Sequence, residues 1–185
     1  MTPATERRPA GVLALLLAGL QGGMLGACWM LAWLGLSASW QRRSFWTAEN
    51  LMATAFYGGE AIRGEFAGRT LSGLALYLLI YSLLGAVFAL ALRDRLPHIR
   101  IFLLGLVFAL AWYYMSFRLF FRTAIPLVAL LHAVRPTIVG HLVYGTFLGR
   151  YPVYLPQPAA PSQVEPAAET PVPAIPESGQ ETLEP

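Results

Sequence analysis

An Arg-Pro pair, Arg135 and Pro136, and two histidines, His132 and His141, interrupt an apolar stretch from Ala124 to Gly149 that is long enough to cross a bilayer. Ionisable groups at membrane depth are costly, so they face a bundle interior, a partner or a water-filled cavity and count as functional candidates. An imidazole there can act as a proton relay, contact a ligand, or serve as hydrogen-bonding glue between helices. His141, Gly145 and Gly149 fall on one four-residue row. A neighbouring helix packed against those glycines would therefore bring a tyrosine, Tyr77, Tyr81 or Tyr113, to the imidazole. The candidate polar intramembrane site is Arg135, His141, His132, Tyr144 and Tyr81.

Other chemistries find too few residues. Haem ligation by two histidines lacks a histidine in the earlier spans to face His141. Three scattered histidines and one distant cysteine have no zinc-ligand spacing, so no metal and no cofactor is expected. Cys28 stands alone, which excludes an internal disulfide and a Cys-x-x-Cys pair. There is no intramembrane carboxylate pair and no glycine-rich phosphate loop, and the single Asp, Asp94, lies between arginines. No catalytic residues are assigned, and the chain is not expected to be an enzyme.

The elements that must position these groups are helices. More than half of the residues are hydrophobic and 12% are charged, which places the chain in the membrane class. Four apolar runs, about 10–36, 71–92, 101–121 and 124–149, match the roughly 20 residues that a bilayer core of about 30 Å requires of a helix. None alternates like a strand. The expected fold is an all-α membrane protein, a four-transmembrane-helix bundle over 10–155, preceded by a polar lead at 1–9.

The first run carries the clearest packing signal. Ala10, Ala14, Ala18, Gly22 and Gly26 recur every fourth residue, and Gly19 with Gly23 forms a second small pair beside them. Such ridges let helices approach closely, here another span of the same chain or a partner. Gly145 and Gly149 offer the same surface in the last run, and Gln21 is expected to hydrogen-bond across the first ridge. Arg7-Arg8 followed by an apolar run to Leu25-Gly26-Ala27-Cys28 resembles a lipoprotein signal, but Trp29 to Leu36 stay apolar, so an uncleaved span is expected.

Between the first two runs, Thr47 to Gly58 predicts a short interfacial helix. Thr47 would be its N-cap, Glu49 would sit in its first turn, and Gly58-Gly59 would stop it. Two arrangements fit 124–149. A single helix capped near Thr123 could kink at Pro136 and place Arg135 near mid-membrane. Alternatively, a short helix over Ile125 to Val134 breaks, and Pro136 opens the true span with Arg135 near the surface; the restriction on the residue before proline favours this second form.

All thirteen basic residues are Arg. They flank the runs as topology signals, so nucleic-acid binding is not expected. The short Arg93 to Arg100 connection places both termini in the cytoplasm. The last thirty residues hold five Glu and eight Pro and no basic residue, the composition of a disordered tail at 156–185.

Asn50-Leu51-Met52-Ala53 through Phe56-Tyr57-Gly58, and His141-Leu142-Val143-Tyr144-Gly145 through Gly149, resemble stretches in small uncharacterised bacterial four-span integral membrane proteins. The resemblance implies an inner-membrane location and no particular reaction. Two functions remain open. One is a non-enzymatic accessory, assembly or structural component, which predicts a membrane-protein partner or homo-oligomer in the lipid bilayer. The other is a small transporter or channel with a polar site around Arg135 and His141.

Overall fold

The computed structural model describes residues 11–93 and 96–156. The polar lead at 1–9 and nearly all of the expected tail lie outside these residues. Among the described residues every regular element is helical. Helix α1 (Val12–Trp40) is followed by the short α2 (Thr47–Tyr57), a 3₁₀ turn (Gly58–Ile62) and α3 (Gly68–Leu92). Helix α4 (His98–Met115) runs through a π-helical turn (Ser116–Phe120) into α5 (Phe121–Ala124). Then come α6 (Pro126–Leu131), α7 (Val134–Leu148) and a 3₁₀ turn (Tyr151–Tyr154).

Three helices are long and apolar enough to cross a membrane: Val12–Trp40, Gly68–Leu92 and His98–Ala124. The fourth expected span is not among them, because 124–149 is broken. His132 and Ala133 are extended, with ψ of 144° and 103°, and they separate α6 from α7. The break lies earlier than the Arg-Pro pair suggested. Pro136 sits inside the first turn of α7, where a missing N–H loses no helical hydrogen bond, so Arg135 and Pro136 are both helical. Thr123 does not cap a helix; its hydroxyl donates back to the Leu119 and Phe120 carbonyls within the preceding turn. Nor does Thr47 cap α2, since its hydroxyl donates to Ser44 O at 2.6 Å.

The layer order is α3, α1, α7, α4, with α2 lying on α3. Small residues fix each crossing. A Cβ on Gly19 or Gly23 would stand 2.5 Å from the Gly85 or Tyr81 carbonyl of α3. On its other side α1 meets α7 and the last turn, where Gly26 faces Tyr144 and Phe147, and Gly22 faces Tyr151 and Tyr154. Ala18 is also buried, while Ala14 is only half-buried. Helix α7 in turn crosses α4 where Gly145 and Gly149 meet Gly105 and Phe102. Over Gly19 to Gly26 both ridges of α1 are thus filled from within the chain, one by each neighbour, while Ala10 lies outside the described residues. Gln21 departs from expectation, since it is exposed on the face away from both.

These contacts also give direction. Gly19 meets Ala89 and Gly23 meets Tyr81, so α3 runs antiparallel to α1; Gly140 meets Trp33 and Gly22 meets Tyr151, so α7 does too. The ends of α1, α4 and α5 and the starts of α3 and α7 therefore share one end of the bundle with α2 and α6.

Candidate functional site

At that end the helices do not close completely. A cavity of about 60 Å³ lies beneath α2 and α6. Its rim carries Ser37, Gln41, Arg43 and Thr47, its walls include Leu51, Met52, Phe117 and Val128, and its polar groups are Tyr77, Tyr81, His132, Thr137 and His141. That space accommodates one or two waters or a ligand of a few heavy atoms.

Each polar group has an identifiable positioner. His141 is fully buried on α7, and its Nδ1 lies 2.8 Å from the Thr137 carbonyl one turn earlier. A carbonyl only accepts, so Nδ1 carries the proton and Nε2 offers its lone pair. Tyr81 of α3 lies 3.0 Å away and donates its hydroxyl to that lone pair. Tyr144, one turn along α7, donates to the backbone carbonyl of Tyr81 at 2.6 Å, which pins α3 against α7. The Tyr77 ring stacks on Tyr81 with centroids 4.5 Å apart.

His132 repeats the arrangement at the helix break. Its Nδ1 donates to Ala129 O at 3.0 Å, which turns Nε2 towards the Tyr113 hydroxyl at a long 3.5 Å. Tyr113 also touches His141, with ring centroids 5.2 Å apart, so α4 joins the two histidines. Phe117 packs its ring 4.0 Å from that of His132. It reaches there from the π-helical turn, whose extra residue redirects side chains that a regular helix would point elsewhere. Trp33 of α1 donates its indole N–H to the Pro136 carbonyl at 2.9 Å and holds the start of α7 in place.

The expected site is therefore assembled in part. His141, Tyr81 and Tyr144 meet directly, and His132 lines the same cavity. Arg135 does not join them. It is exposed in the first turn of α7, because the break places it at the bundle end instead of at membrane depth.

Glu49 was not recognised from its sequence context. It sits in the first turn of α2 as expected, but it is 2% exposed, and its Oε2 has no hydrogen-bond partner. Burial pushes its carboxyl up from 4.5 to about 7. The cause is the close seat of α2 on α3: a Cβ on Gly73 would collide with the Glu49 carbonyl. Beside it, Thr70 donates to Asn50 Oδ1 at 2.7 Å, tying the two helices together. A hint was available, since Glu49-Asn50 directly precedes the apolar Leu51-Met52-Ala53, yet nothing in the sequence shows which face of α2 turns inwards.

Among the described residues no group of three or more His, Cys, Asp or Glu side chains converges to hold a metal. The arrangement can accept and donate hydrogen bonds to a small molecule in a mostly apolar enclosure, and it can store or pass a proton along hydroxyls and imidazoles. A family model described as a family of unknown function, DUF6789, matches residues 13–162. No curated protein and no solved structure matches the chain.

Proposed function

Because this chain belongs to the DUF6789 family, whose function is unknown, its activity has to be inferred from its own geometry, and we propose that it is a multi-pass bacterial inner-membrane protein that binds a small polar molecule without covalent chemistry. The supporting observation is the cavity whose polar lining includes the Tyr81–His141 pair and His132, with Gln41 and Arg43 among its exposed lining residues. His141 is already bonded at both ring nitrogens, so the groups left to recognise a ligand are His132 Nε2, held only by a long contact, and the hydroxyl lone pairs of the tyrosines. Such groups between apolar walls suit a neutral ligand, since a bare charge would lose its hydration there. The accessory, assembly or structural function draws no support from the small-residue ridges, since of the two neighbours they fit, a span of the same chain or a partner, it is spans of the chain, α3, α4 and α7, that occupy them.

In this proposal the chain crosses the bilayer four times. Helix α7 with the last 3₁₀ turn extends roughly 30 Å, enough for a bilayer core. Both termini then lie in the cytoplasm, on the side of the short arginine-rich connection between α3 and α4. The cavity opens on the opposite side. A transporter variant draws support from the helix break at His132–Ala133 beside the cavity, since discontinuous helices line substrate sites in transporters.

Native mass spectrometry of the full chain, extracted in mild detergent, tests the binding function. Wild-type protein should retain a small-molecule mass that Ala48→Phe, which fills the cavity from α2, loses while remaining folded. A bare wild-type mass across several gentle extractions would overturn it.

A further inference from the structure

Helix α1 keeps one face that neither α3 nor α7 covers. Leu17, Gln21, Met24, Cys28 and Ala32 are exposed along it, spaced four, three, four and four residues apart. This is the seam spacing of two helices packed along their length. Gln21 is out of place on such a face. It lies about 14 Å into the helix, close to Gly23, which meets the carbonyl of Tyr81 at the middle of α3. A primary amide at that depth has no water to bond, and Gln21 has no hydrogen-bond partner among the described residues.

We infer that α1 pairs with α1 of a second copy of this chain along Leu17, Gln21, Met24 and Cys28, with the two Gln21 amides hydrogen-bonded to each other across a two-fold axis. The choice of a second copy follows from the amide itself. It carries a donor and an acceptor on one group, so it satisfies an identical amide related by two-fold symmetry. A partner with an apolar helix would leave the amide unsatisfied, and a lipid tail would do the same. In a parallel pair, residues seven apart occupy equivalent layers, so Cys28 faces Cys28 of the second copy one heptad along from Gln21. This pairing is independent of the cavity, which α1 lines only near its far end, at Leu34, Ser37, Ala38 and Gln41.

The native cysteine provides the test. Full-length protein in its native membranes is oxidised with copper phenanthroline, and the dimer fraction is read on non-reducing gels. Wild type should crosslink through Cys28. In a Cys28→Ala background Leu17→Cys should crosslink as well, whereas Val107→Cys, exposed on α4, should not. Gln21→Leu should weaken association about 3- to 30-fold, the range for a hydrogen bond between membrane helices, and Gln21→Asn should restore part of it. No crosslink at position 28 or 17, equal crosslinking at position 107, a crosslink to a different protein, or a Gln21→Leu dimer as abundant as wild type would each overturn the pairing.

Discussion

Two buried residues, Glu49 and His141, show how differently the fold treats titratable groups. Glu49 is enclosed without full pairing, so the folded chain favours its neutral form. The folded value of about 7 exceeds the ordinary 4.5, and between those two the folded state holds more protons than the unfolded state. Stability should therefore fall as pH rises from about 4.5 to 7 and level off above that. Glu49→Gln should flatten this dependence and stabilise the protein at pH 8 by up to about 3 kcal/mol, read as denaturation midpoints across pH in detergent. An unchanged slope in the variant would contradict the buried neutral carboxyl. His141, in contrast, has both ring nitrogens occupied, one by the Thr137 carbonyl and one by Tyr81. Tyr81→Phe should leave Nε2 without its donor and cost about 1–3 kcal/mol. Arg135→Ala, at an exposed position, should change stability by less than about 0.5 kcal/mol. A large loss on substituting Arg135 would return it to the site.

At the scale of elements, helix crossings depend on places where a methyl group does not fit. Gly85 packs against Gly19 and Gly23 so closely that an added Cβ would overlap backbone atoms. Gly85→Ala should force α3 off α1 and destabilise by about 1–3 kcal/mol, measurable as a lowered midpoint, while Gly59→Ala, which meets nothing within 4 Å, should leave it unchanged. Equal effects would mean that the close crossing contributes nothing. Gly73 plays the same part for α2, and through it for Glu49. The π-helical turn and the break at His132 act at this scale as well, because they aim Phe117 and His132 at the cavity.

For the whole molecule, antiparallel packing of α1 with α3 and α7 places the cavity at one end and the start of α1 and the end of α7 towards the other. In a Cys28→Ala background, Gly59→Cys should be labelled by an impermeant maleimide from outside the inner membrane, and Pro97→Cys only after permeabilisation. Both are exposed positions, so labelling from the same side would refute four passes. The helical class and the first three long helices were legible in the sequence, because length and apolarity alone identify a membrane-length helix. The glycine row also marked a close neighbour for α7, which is α4 and brings the Tyr113 ring to His141, whereas the hydrogen-bonding Tyr81 arrives on α3, which that row does not mark. The favoured broken form of 124–149 already put Arg135 near the surface, but the N-caps, the exact position of the break and the fates of Gln21 and Glu49 were not legible. Each depends on which face of a helix turns inwards and at what depth, and a nearly uniform apolar helix leaves rotation and depth undetermined. Local composition determined which segments are helical and where backbones can touch. Only the packing of α1 between α3 and α7, with α2 seated on Gly73, decided which polar groups are enclosed, because burial belongs to pairs of surfaces and not to a stretch of chain.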